Sequence, residues 1–121
     1  MSLCLVTAAK ATKVVTVAFT LIWTHSVEKT RWEEDWRAEP SGLTLVAARI
    51  KGSGAGMEPP PHARRDGGWY VWTGTGERLE RLVLARSGAV EDWRLCTAYE
   101  CVPLELLIGP DSGAVTLSYC P

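Results

Sequence analysis

The stretch from Phe19 to Trp36, FTLIWTHSVEKTRWEEDW, alternates large apolar and polar side chains on both sides of a polar centre. Successive side chains of a strand point to opposite faces, so this alternation describes two strands of a hairpin with one face for a core and one for water. With Val27 to Thr30 as the tip, residues whose numbers sum to 57 stand opposite one another: His25 with Trp32, Trp23 with Glu34, Leu21 with Trp36. This register gathers Phe19, Leu21, Trp23, Trp32 and Trp36 on one face. Thr20, Thr24, Ser26, Glu33, Asp35 and Arg37 take the other, with Ile22 as the exception. His25 and Glu34 then share the aromatic face.

The rest of the chain continues the theme. Runs of alternating or β-branched residues are expected as strands over residues 3–8, 14–27, 31–38, 43–51, 69–73, 78–86, 90–96, 101–107 and 114–119, separated by turn chemistry such as EPSG, SG and GPDSG. The segment GERLERLVLARS also suits a short helix, and a strand is preferred. The fold class expected is all-β, an antiparallel β-sandwich or partly open β-barrel of about eight strands. The 121 residues are expected to form one domain.

One segment departs from the short turns. Residues 52–68, GSGAGMEPPPHARRDGG, read as a long Gly/Pro-rich loop. Its glycines complete neither a dinucleotide fingerprint nor a P-loop. The preferred reading is a flexible hinge followed by a short polyproline rod. The alternative is a docking site for a partner or a loop that folds over the aromatic face, with Met57, Glu58 and Arg64 helping to close a binding site there.

The chemistry suggested is binding in preference to catalysis. His25 and Ser26 are neighbours on a strand and point to opposite faces, so they are no nucleophile and base. No GxSxG elbow, HExxH motif or paired metal-ligand spacing is present, and no cofactor or metal is expected. His25 and Glu34 remain, as a structural pair, as polar anchors in an aromatic pocket with Trp23, Trp32 and Trp36, or as base and orienting acid of a small hydrolase or isomerase. A net charge of -1 with 13 Lys and Arg supplies no footprint for nucleic acid or an anionic membrane surface.

The longest apolar run, Val14 to Trp23, is too short for a membrane span, which takes about 20 apolar residues, and its β-branched content reads as a strand. No leader is expected in this chain. Its 4 cysteines permit three pairings. Cys96 and Cys101 flank TAYE at a length suited to a hairpin tip, and Cys4 with Cys120 would join the two terminal strands. These pairings favour an oxidising compartment, and four reduced thiols in the cytoplasm are the alternative.

FTLIWTHSVEKTRWEEDW, GLTLVAARIKGSGAGMEPPP, GGWYVW and WRLCTAYECVPLELL together resemble the bacterial domain of unknown function 1850, from Phe19 to the C-terminus. The resemblance implies a small extracytoplasmic protein whose gene accompanies a TAXI-type TRAP transporter, a system that takes up organic acids. The expected partners are accordingly transporter subunits or an organic-acid ligand. His25, Ser26, Glu28, Lys29, Trp32, Glu34 and Trp36 match the central motif, and no catalytic or ligand role comes with them.

Overall fold

The computed structural model describes residues 1–25, 29–52, 59–86, 91–110 and 113–121. Among them the strands form two antiparallel sheets. The smaller has four strands in the order β2-β1-β12-β9, built from β1 (Ser2–Val6), β2 (Ala11–Val14), β9 (Arg81–Leu84) and β12 (Val115–Cys120). The larger has eight. Its path runs β11-β10-β3-β4-β5-β7-β6, from β3 (Ala18–Thr24), β4 (Arg31–Glu39), β5 (Gly42–Lys51), β6 (Arg64–Asp66), β7 (Trp69–Thr73), β10 (Arg94–Cys96) and β11 (Cys101–Pro103), with β8 (Arg78–Leu79) beside β5. The sheets do not close into a barrel, so the fold is an all-β sandwich.

The core lies between the sheets. Leu3, Leu5, Val115 and Leu117 of the small sheet pack on Phe19, Leu21, Trp36, Leu43 and Leu95 of the large one, all of them buried. In β3 the buried residues Phe19 and Leu21 are two apart, as the period of a strand with one covered face requires.

Two bridges hold the strand ends. Cys4 and Cys120 are joined with Cα atoms 5.8 Å apart, linking β1 to β12, and Cys96 with Cys101 joins β10 to β11. Both pairings agree with the expectation from sequence.

The described residues form twelve strands where nine segments and about eight strands are expected, because two expected strands divide and a new strand, β6, arises within the expected loop, while a third expected strand is cut short. Residues 14–27 belong partly to β2 in the small sheet and partly to β3 in the large. Within residues 78–86 the strand preferred over a helix forms as two short pieces that lie in different sheets: β8 pairs with β5 and β9 with β12. The strand expected over residues 101–107 stops at Pro103, and Glu105–Ile108 form one helical turn, α1. Leu104 and Ile108, four apart, both enter the core from that turn, which a strand would not allow. Asp92 accepts the Glu105 N–H at 2.7 Å and is itself held by Arg86 Nε at 3.0 Å.

The expected loop over 52–68 is shorter than its sequence suggests. Arg64–Asp66 pair with β7 through Gly67 and Gly68, whose φ values of 56° and 88° make a two-residue turn of the kind that matches strand twist. Residues 53–58 lie outside the described residues.

Gly74 leaves β7 where the chain passes against β5. Its N–H donates to the Val46 carbonyl, and a Cβ placed on it would run into the Leu45 carbonyl oxygen. Backbone stands in the way, so no rotamer relieves the clash. Gly74→Ala is expected to cost about 1–3 kcal/mol in a urea melt, as overpacking does. The same change at Gly76, where a Cβ meets nothing within 4 Å, serves as a comparison for the strain of a positive φ alone.

Candidate functional site

The β3–β4 hairpin forms with its faces as expected and its register shifted by two. Trp23 stands opposite Trp32, Leu21 opposite Glu34 and Phe19 opposite Trp36. The turn closes between His25 and Thr30: the His25 N–H donates to the Thr30 carbonyl and the Lys29 N–H to the His25 carbonyl, both at 2.9 Å. Lys29 takes the left-handed conformation there, with φ of 56°. A slip of two residues preserves the faces, because the side-chain period is also two.

Across the large sheet the registers align side chains into rows on the inner face. One row runs Trp93, Trp23, Trp32, Ile50, Tyr70 and Arg65, continuing from the pairs Arg94 with Ile22, Trp23 with Trp32, Trp32 with Ile50, Ile50 with Tyr70 and Tyr70 with Arg65. The next row runs Leu95, Leu21, Glu34, Ala48 and Trp72. Leu21, Leu95 and Trp36 lie in the core, whereas Trp23, Trp32, Tyr70, Trp72 and Trp93 stay half-buried. The large sheet thus carries an aromatic margin beyond its most deeply covered part.

The rings of this margin touch. Trp23 stacks on Trp32 with centroids 5.0 Å apart and on Trp93 at 5.2 Å, and Trp72 meets Trp32 edge-on at 5.9 Å. At the far end the Arg65 guanidinium lies over the Tyr70 ring, 4.8 Å from its centroid. The Trp32 indole N–H is buried without a hydrogen-bond partner among the described residues. An unmet buried donor costs about 1–3 kcal/mol, so it marks a place where stability is given up.

Glu34 sits among the aromatics as the sequence implies, but its partners are indoles. Its two oxygens accept the N–H groups of Trp23 at 3.2 Å and Trp36 at 3.1 Å. Burial raises its carboxyl above the ordinary value, and the two indole bonds offset part of that rise. The imidazole expected as its partner stands elsewhere, with the His25 ring 6.4 Å from that of Trp23.

The loop residues expected to close the site divide. Arg64 pairs with Val71 and falls on the outer face, while its neighbour Arg65, not singled out from sequence, falls on the aromatic face. Met57 and Glu58 lie outside the described residues. Arg65 becomes legible once Asp-Gly-Gly-Trp is read as a two-residue hairpin turn, since the turn fixes which arginine faces Tyr70.

The outer face is less solvated than expected. Glu33 and Asp35 are tied to Arg49 at 2.7 and 3.0 Å, and Thr20 donates to Asp35 at 2.7 Å. Burial pushes the Asp35 carboxyl up, but bonds from Arg49 and Thr20 and the Arg49 charge bring it below its ordinary value. Its contribution to stability is therefore present above the unfolded carboxyl range and lost as pH falls through the lowered value. Asp35→Asn is expected to cost about 1 kcal/mol or less at neutral pH, as such half-exposed pairs do, and less still in acid, checked by urea melts at both. A groove of about 600 Å³ also opens on this face between residues 15–17 and 97–99.

No helix among the described residues is long and apolar enough to cross a membrane. The chain matches no curated protein and no solved structure. A family model does match, over residues 19–104, a segment that carries the large sheet with its aromatic row and leaves β1, β2 and β12 outside. By that match the chain belongs to the family described as Domain of unknown function (DUF1850).

Proposed function

We propose that the protein is a non-catalytic binding module that works outside the cytoplasm, as an accessory to a TAXI-type TRAP transporter of organic acids. The observation that carries this reading is the half-buried row of Trp93, Trp23, Trp32 and Tyr70, with an unmet indole donor at its centre. Aromatic side chains left at a sheet margin are large, stiff contact surfaces that lose little conformational freedom when a partner covers them. Two disulfides suit an oxidising compartment. The transporter enters through the resemblance of the central motif, and the partner is one of its subunits or an acid it carries.

The rival is a hydrolase or isomerase using His25 and Glu34, favoured by the raised carboxyl of Glu34. Against it, both Glu34 oxygens are engaged by indoles, so the carboxylate is spent on the fold.

The test is isolation of the tagged, oxidised protein from cells that express the transporter genes, with Trp32→Ala alongside. Transporter subunits should accompany the wild type and be depleted about tenfold with the variant, a loss of about 1.4 kcal/mol in binding. If no subunit co-purifies and the tryptophan emission is unmoved by the purified transporter proteins, this accessory role is wrong.

A further inference from the structure

We propose that the Cys96–Cys101 bridge is a site of thiol–disulfide exchange, opened in the folded protein by a dithiol oxidoreductase that attacks the sulfur of Cys101. This site is separate from the aromatic row and stands whether or not the row binds a partner. The two bridges differ in their surroundings. Cys4 and Cys120 are half-buried on the two central strands of the small sheet, at a sequence separation of 116. Cys101 is exposed, and its bridge has a separation of 5. It lies on β11, the last strand along the large sheet, directly opposite Cys96 on β10.

Access follows from that position. A thiolate displaces one sulfur from another in line with the bond it breaks, so the sulfur attacked must be open on the side away from its partner. For Cys101 that side is the edge of the sheet, where β11 pairs with no further strand among the described residues. For Cys96 it is the interior of the sheet, where Thr20 of β3 is the neighbour. Cys101 is therefore the sulfur that a protein thiol reaches, and Cys96 the one that leaves.

The leaving sulfur has a cation at hand. Arg94 precedes Cys96 by two residues and so shares its face, and its guanidinium donates to the Cys101 carbonyl at 3.2 Å. Positive charge beside a sulfur stabilises its thiolate and speeds its departure. Along the row from Cys96 through Thr20 the first acid is Asp35, whose carboxylate Arg49 and Thr20 already hold. In the first step the partner's thiolate bonds to Cys101 Sγ while the bond to Cys96 breaks and its electron pair leaves on Cys96. The partner's second thiol then displaces Cys101, so two electrons and two protons pass to this protein and the partner ends as a disulfide. The fold survives because so short a loop restrains little chain entropy, while Cys4–Cys120 and the packed core remain.

The probe is a thioredoxin whose second active-site cysteine is replaced by serine, mixed with the oxidised full chain in native buffer. Free thiols are then capped and the peptides sequenced by mass spectrometry. A mixed disulfide should form on Cys101, with Cys96 capped and Cys4–Cys120 intact. With dithiothreitol as reductant, Cys96–Cys101 should open about tenfold faster than Cys4–Cys120, at a rate that stays flat in urea below the unfolding transition. Arg94→Gln should slow the opening about threefold, and Arg94→Lys, which keeps the charge, should restore it. Opening of both bridges together, a rate that climbs with urea from the start, or a mixed disulfide on Cys96 overturns the proposal. An Arg94→Gln rate equal to that of the wild type overturns the part given to Arg94.

Discussion

Replacing Cys4 and Cys120 by serine is expected to remove about 4–5 kcal/mol from the folding free energy, because the bridge closes nearly the whole chain. The two cysteines are 116 residues apart in sequence, and the chain-entropy cost of an open loop grows with its length. The bridge joins β1 to β12, the two central strands of the small sheet, so freeing it also loosens the layer that covers Phe19, Leu21 and Trp36. Opening Cys96–Cys101, with a separation of 5, should cost only about 2 kcal/mol on the same model. Urea midpoints of the two double variants, measured beside the wild type, decide the order. Equal losses would mean that the unfolded chain is already compact enough to hold its ends together.

Glu34→Leu is expected to cost about 2–5 kcal/mol, the sum of two buried indole donors left without an acceptor. Leucine fills much of the same space, so the loss measures the Trp23 and Trp36 bonds more than a cavity. The pH dependence separates charge from hydrogen bonding. Burial raises the folded carboxyl above the ordinary value of 4.5, so its contribution is fully present below the unfolded value and is lost as pH rises through the folded one. Glu34→Gln keeps one acceptor and does not titrate. The stability of the wild type relative to this variant should therefore decline from acid to neutral pH, the reverse of the trend for Asp35 relative to Asn. Parallel urea melts at both pH values check the pair. A decline for both residues, or for neither, would contradict the burial that sets them apart.

This opposition between adjacent residues explains how far the sequence alone was informative. Glu34 and Asp35 point to opposite faces because side-chain direction in a strand alternates, a local property that the order of residues carries by itself. For the same reason the aromatic face was legible despite a hairpin register displaced by two. The all-β class, the positions of most strands and the pairing of the cysteines near strand ends also follow from local pattern and turn chemistry.

Contacts between distant segments decided the rest. The turn closing between His25 and Thr30 set the register, and with it the exchange of an imidazole for two indoles at Glu34. The turn at Gly67 and Gly68 brought Arg65, and not Arg64, to the ring of Tyr70. Leu104 and Ile108 became a helical turn because the core lay on one side of both. Most consequential is where the small sheet covers the large one: periodicity states that Phe19, Trp23, Trp32 and Trp36 share a face, but burial under another layer depends on strands from the two ends of the chain. That packing hides Phe19 and Trp36 in the core and leaves Trp23 and Trp32 half-buried at its margin, where a binding surface can form.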